Sequence, residues 1–118
     1  MDKLKILKNC IELSSSIKIY IPSTIDIDKE IDNSKVVEET NIFLSQLFGG
    51  ATSSKALGAW VTANKNLVTE KVTLVFSYCT ETQLQENIET VYTYCVKMKK
   101  DLLQESIALE VNNKLYLI

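Results

Sequence analysis

The sequence predicts an α+β domain of the ferredoxin-like kind: a β-α-β-β-α-β order, an antiparallel sheet and two helices on one of its faces. A short N-terminal helix and a C-terminal hairpin strand are added to it. Three observations predict this class. Residues 16–22 alternate aliphatic Ile17, Ile19 and Ile21 with Lys18 and Tyr20 and end at Pro22, the pattern of a half-buried strand. Residues 67–78 are a long alternating run after the turn residues Asn64, Lys65 and Asn66, which marks the second arm of a hairpin. Leu84, Ile88, Val91, Cys95, Met98 and Leu102 recur at helical spacing, the stripe of an amphipathic helix.

The elements follow in order. Residues 2–13 carry Leu4, Leu7 and Ile11 at helical spacing and predict a short helix. After the first strand, residues 23–33 are acidic and turn-rich, a surface loop. A helix then starts at Asn33 or Ser34, either a good N-cap. Its apolar face is Val36, Val37, Thr40, Phe43, Leu44 and Leu47, and Gly49-Gly50 stops it, because glycine accepts the left-handed conformation that ends helices. The stretch 51–55 is expected as a loop, and 57–62 as the first arm of the hairpin. In the second arm Val68, Glu70, Val72, Leu74, Phe76 and Tyr78 share one face; Thr69, Lys71, Thr73, Val75 and Ser77 share the other.

Thr80-Glu81-Thr82-Gln83 is a capping box. The helix it opens has Glu81, Glu86 and Glu89 early and Lys97, Lys99 and Lys100 late, which suits the helix dipole. Residues 106–111 alternate as a strand, Asn112-Asn113 signals a tight turn, and 114–118 pair back. The chain is expected as one domain: an extension over 1–14, the core over 15–111 and a final strand over 112–118.

Composition narrows the chemistry. The 118 residues include no His, and all 13 basic residues are Lys. Imidazole acid/base chemistry, His metal ligation and the Arg fork for phosphate or carboxylate are therefore absent. The net charge of −2 and the want of a basic face argue against nucleic acid as a partner. No apolar run reaches the ~20 residues of a membrane helix, and 1–8 interleave Lys with aliphatics, unlike a signal peptide. Cys10, Cys79 and Cys95 are odd in number and show no CxxC, so neither a disulfide framework nor a zinc site is expected. A cytoplasmic setting without membrane, metal or cofactor follows.

The sheet face without helices is the expected working surface. Lys18, Tyr20, Thr69, Lys71, Thr73, Val75, Ser77, Ala108 and Glu110 are predicted there. Trp60 joins them if the hairpin turn is the two residues Asn64-Lys65, which sets Trp60 opposite Thr69 and turns Leu57, Ala59 and Val61 to the core. A three-residue loop would reverse the parity and bring Trp60 inward, near Glu70. The shorter turn is favoured because it buries three aliphatic positions. Trp60, Tyr20, Lys18, Lys71, Thr69 and Thr73 are thus the ligand or interface residues. The Gly-Gly loop with Thr52, Ser53, Ser54 and Lys55 is a secondary candidate; it lacks the GK[ST] of a phosphate loop and follows a helix. Cys79 precedes a helix N-terminus but has no His base, and Glu70 reads as an edge carboxylate. Asp26, Asp28, Glu30 and Asp32 lack the Gly and terminal Glu of a calcium loop.

Tyr20, Gly58, Trp60, Glu70 and the run Gln104-Glu105-Ser106 fall in an order that resembles a bacterial domain-of-unknown-function family of short ferredoxin-like proteins, over roughly 16–111. The chain departs from that pattern in having no export signal and no Arg-rich patches. Its style is also similar to accessory proteins of phages and plasmids of low-GC Gram-positive bacteria. The resemblance implies the fold and no activity.

The sequence therefore points to a non-enzymatic binding protein acting as a homo-oligomer, a homodimer or larger, through its open sheet face. Its most concrete form is a mobile-element accessory or anti-defence protein that binds a host protein or sequesters a small, nucleotide-like ligand. One alternative is a dimeric α+β-barrel enzyme with a pocket between two sheets and Glu70, Tyr20 and Lys71 as its polar groups. The other is a purely structural assembly subunit.

Overall fold

Alternation along the first strand is translated directly into packing. In the computed structural model, which describes residues 2–26 and 29–118, β1 (Ser15–Pro22) buries Ile17, Ile19 and Ile21 completely. Each such burial contributes about 1.5–3 kcal/mol. After it come the two-residue strands β2 (Thr24–Ile25) and β3 (Lys29–Glu30), α1 (Ser34–Phe48), β4 (Thr52–Val61), β5 (Leu67–Cys79), α2 (Glu81–Asp101), β6 (Ala108–Val111) and β7 (Lys114–Leu117). The main sheet runs β4-β5-β1-β6-β7, antiparallel throughout. With β7 set aside, this is the ferredoxin-like arrangement the sequence predicts.

Both helices lie on the face that carries the three isoleucines, and their apolar stripes close the core. Leu44 and Phe48 of α1 and Leu84, Val91, Cys95 and Met98 of α2 are buried there. Phe43 and Tyr94 stack at 3.9 Å between the helices, and the Tyr94 hydroxyl meets Thr40 Oγ1 at 2.9 Å. The capping box is formed: Gln83 N–H donates to Thr80 Oγ1 at 3.1 Å, and Thr80 N–H donates to Gln83 Oε1 at 2.9 Å. Gly49 ends α1 at φ 92°, the left-handed turn expected of it.

At the start of α1 the capping differs from the expected form. Asn33 makes no cap bond; its side-chain amide instead donates to the carbonyl of Pro22 at 3.2 Å. The Asp32 carboxylate serves the helix end, accepting from the Ser34 N–H at 3.0 Å and from the Ser34 hydroxyl. Those bonds hold its carboxyl below the usual range.

Several expectations are corrected. Residues 52–55 are not a loop; they open the ten-residue edge strand β4. The hairpin turn is the three-residue one: Trp60 pairs with Val68 and Ala59 with Thr69, and Lys65 takes a left-handed φ of 63°, the usual bulged form of such a loop. The faces of β5 are opposite to the expected ones. Thr73, Val75 and Ser77 pair with Ile21, Ile19 and Ile17, so they lie under the helices with Thr69 and Lys71 in phase. Val68, Glu70, Val72, Leu74, Phe76 and Tyr78 line the open face. Small side chains on the helix side leave room for the isoleucines, and their hydroxyls are satisfied: Ser77 donates to the Gly50 carbonyl at 2.6 Å.

Leu57 and Ala59 point to the helix side but stay exposed, because the β4–β5 tip extends beyond β1, whose last pair is Pro22 with Val72. The N-terminal segment is a 3-10 helix, Lys3–Asn9, with no buried residue. Residues 23–33 contain the small β2–β3 ribbon, where Thr24 pairs with Glu30; Asp28 lies outside the described residues. The final strand pair starts at Ala108, two residues later than expected, and Asn112 and Asn113 form its turn, both at positive φ.

Candidate functional site

On the open face, the sequence of β5 places a carboxylate among aliphatic neighbours: Glu70 stands between Val68 and Val72. Gly58 lies opposite Glu70 in the register and puts no side chain over it. Trp60, two residues on in β4, projects from the same face and is half exposed. The β2–β3 ribbon completes the group: the Thr24 hydroxyl donates to Glu70 Oε1 at 2.9 Å, and the Ser23 hydroxyl donates to the Lys71 carbonyl at 2.6 Å. Trp60, Glu70, Thr24, Ser23 and Glu30 share a cleft of about 490 Å³. An indole ring offers a stacking face for a flat, electron-poor group or a cation. A fixed carboxylate accepts hydrogen bonds from hydroxyls or an ammonium group.

A second polar cluster sits further along the same face. The Tyr20 hydroxyl donates to Glu110 Oε1 at 3.1 Å. Lys18 Nζ lies 3.5 Å from Glu110 Oε2 and 5.6 Å from the centre of the Phe76 ring. Burial, then the bond to Glu110, raises the Tyr20 phenol above its ordinary value. This cluster borders a cleft of about 390 Å³ that also takes in Leu13, Tyr78 and Asn112. Tyr20 pairs with Leu74, four residues from Glu70, so the two clusters are about 13 Å apart along the strand.

The predicted site residues divide accordingly. Trp60, Tyr20 and Lys18 are on the open face, as expected, although the register and the β5 parity were both otherwise; the two differences offset each other for Trp60. Strand parity corrects Lys71, Thr69 and Thr73 to the helix side; Thr69 and Lys71 still border the Trp60–Glu70 cleft at the hairpin tip, and Thr73 does not. With Lys55 and Asn33, Lys71 and Thr73 line a different cleft of about 580 Å³ near the start of α1. Of the secondary group, Thr52 and Ser54 face the open side and Ser53 and Lys55 the helix side, so strand alternation splits them. Glu110 is on the open face, as alternation predicts, whereas Thr24 and the Tyr20–Glu110 and Lys18–Glu110 contacts were missed. Nothing in the local sequence marks these, and only sheet pairing brings the partners together.

The two buried thiols give no nucleophile. Cys79 is buried, and desolvation, with Glu81 nearby, pushes its thiol up, the reverse of activation. Burial pushes Cys95 up to about 12. Among the described residues no group of His, Cys, Asp or Glu is arranged to hold a metal, and no helix is long and apolar enough to cross a membrane.

The sequence matches no protein-family model and no curated protein. Solved structures do match. One is a phage SAM lyase in complex with S-methyl-5′-thioadenosine, at a TM-score of 0.64 and 16% identity, covering 92% of this chain and 91% of that one. The other is a phage SAM lyase in the apo state, at a TM-score of 0.61 and 17% identity, covering 89% and 88%. At such identity the likeness is one of fold, over nearly the whole chain. It nonetheless corrects the expectation of a protein without enzymatic activity. Both matched proteins are enzymes, so this fold does carry catalysis. The alternative of an enzyme on a ferredoxin-like sheet is the better supported of the sequence readings.

Proposed function

We propose that this chain is a phage-type enzyme that cleaves S-adenosylmethionine and releases S-methyl-5′-thioadenosine, with the Trp60–Glu70–Thr24 cleft as part of its site. One observation carries the reading: an aromatic ring and a held carboxylate meet on the open face of a scaffold shared with a lyase that binds this thioether. Trp60 stacks on the adenine ring. Glu70, held by Thr24, accepts from the ribose hydroxyls.

The chemistry fits a chain without imidazole. To leave the thioether, the bond between the sulfonium sulfur and Cγ of the amino-acid arm must break, with its electron pair going to sulfur. The arm's own carboxylate oxygen bonds to Cγ as sulfur departs and closes a five-membered lactone. A positive sulfonium and a negative carboxylate are consumed together, and no proton moves. No general base is required. Charge that disappears in the transition state is favoured by an apolar surface from which water is kept; Val68, Val72, Leu74 and Phe76 provide the apolar part beside Glu70. The enzyme's task is orientation and desolvation.

A second copy packed on the open face belongs to this reading, because a half-exposed Trp60 and an uncovered aliphatic sheet do not exclude water alone. Consuming S-adenosylmethionine would also serve an anti-defence role, by removing the cofactor of methyl-transferring or S-adenosylmethionine-dependent host enzymes.

The test is to incubate the purified chain with S-adenosylmethionine and follow products by mass spectrometry. Methylthioadenosine and homoserine lactone are expected in equal amounts. Glu70→Gln should lower kcat/KM by about tenfold or more, since a charge-assisted hydrogen bond is worth roughly 1.5–3 kcal/mol. Trp60, the one tryptophan of the chain, also reports binding of methylthioadenosine by its fluorescence. A wild-type chain that gives no product and no fluorescence change would refute the proposal.

A further inference from the structure

The run Gln104-Glu105-Ser106 has no role in the site described so far, yet the structure ties its first residue to that site. Helix α2 ends in a Schellman turn: Leu103 N–H donates to the Lys100 carbonyl at 3.2 Å and Gln104 N–H to the Lys99 carbonyl at 3.0 Å, the pairing that defines the motif. The left-handed position is Leu103, at φ 51°, where a side chain costs about 1–2 kcal/mol relative to glycine. The strained turn directs the half-buried Gln104 toward the β2–β3 ribbon. Gln104 Nε2 donates to the carbonyl of Thr24 at 2.9 Å and to the carbonyl of Leu102 at 3.1 Å, so both of its amide protons are engaged. A backbone bond runs beside them, from Asp26 N–H to the same Leu102 carbonyl at 3.1 Å. The ribbon residue gripped in this way is the one whose hydroxyl holds Glu70.

We infer that Gln104 is a positioning residue: through Thr24 it fixes the Glu70 carboxylate in the cleft. This rests on the lyase reading above. The relay is Gln104 amide to Thr24 carbonyl, then Thr24 hydroxyl to Glu70 Oε1. Two-residue strands such as β2 and β3 have little stability of their own, so the ribbon takes its place from what grips it. Releasing one side moves Thr24 away from Glu70, and small displacements of a binding group are costly in rate.

The experiment is a double-mutant cycle on the full chain, with Gln104→Met, Thr24→Val and the two combined, read as methylthioadenosine release. Each single variant should lose on the order of tenfold or more in kcat/KM, and the double variant should be no worse than the weaker single one, because both break one relay. Thermal melting establishes that each is folded. Should Gln104→Met not fold, Gln104→Glu replaces it. That variant cannot donate while its carboxyl is ionised, and its activity relative to wild type should recover as pH falls toward about 4.3. Wild-type rates in a folded Gln104→Met, or losses that multiply in the double variant, overturn the positioning role and leave the lyase reading standing. A wild-type chain that releases no methylthioadenosine overturns both.

Discussion

Single residues decide this protein's response to pH, and they do so in one direction on the alkaline side. Burial raises the thiols of Cys79 and Cys95 and the phenols of Tyr20 and Tyr94. In each case the protonated form is favoured by folding. Their contribution is complete below the ordinary values of 9.0 for cysteine and 10.0 for tyrosine, and it is lost as pH rises through the raised ones. Stability should therefore fall from about pH 9 upward, measured as the thermal midpoint between pH 7 and 10.5, and Cys95→Ala should blunt the fall. Asp32 acts at the other end. Its carboxyl is lowered below 3.8 by the Ser34 bonds, so its support of α1 is present above that value and disappears in more acid solution. At this scale Trp60, Tyr20 and Lys18 were legible in the sequence as surface groups, while Glu70 entered only as a polar group of the enzyme alternative and otherwise read as an edge carboxylate. An edge carboxylate and a held carboxylate have the same local sequence; the difference is Thr24, 46 positions away.

Among the elements, α2 was the most legible and the β4–β5 hairpin the least. The helix announces itself through spacing and through a cap whose partners are three residues apart, so local physics suffices. Replacing Thr80 with Ala should cost about 1 kcal/mol, measured by urea unfolding, since the side chain accepts the Gln83 N–H and no other residue stands in for it. The hairpin is different. The face of β5 with Val68, Val72, Leu74 and Phe76 is the more apolar and passes for the buried one, yet it is the one left open. What decides is the partner: β1 presents Ile17, Ile19 and Ile21, and the residues opposite them are Ser77, Val75 and Thr73. The turn length was open for a similar reason, because the run Ala63-Asn64-Lys65-Asn66 suits a two-residue loop at 64–65 or the three-residue loop at 63–65 that forms. The choice falls to the register that the sheet imposes on Thr62 and Asn66, whose backbone pair closes at 2.9 Å.

As a whole the molecule is elongated. Its radius of gyration is 16.5 Å with a long axis of 54 Å, against about 13–14 Å for a compact chain of this length. The thirteen residues of β5 span about 43 Å, and the hairpin tip with Leu57, Trp60, Val61 and Leu67 stands clear of the helices. On the proposed reading, a second copy covers this surface. Leu74→Lys, a change on the open face away from the core, should leave the fold intact by circular dichroism while lowering the mass seen by native mass spectrometry to that of one chain. A wild-type chain that is already a single copy at tens of micromolar would remove the second copy from the reading.

The sequence by itself determined the class of fold, the order of its elements, the capped helix and the isoleucine stripe. All of these follow from spacing and caps within a few residues, where the backbone's own periodicities act. It also determined that any chemistry must proceed without imidazole or guanidinium. Only the tertiary structure decided which face of β5 is buried, that residues 52–55 are strand, and that Thr24, Glu70, Trp60 and Gln104 converge. Those outcomes depend on pairings between residues up to 80 positions apart. Side-chain periodicity says that a strand has two faces; the strand beside it says which face meets the helices.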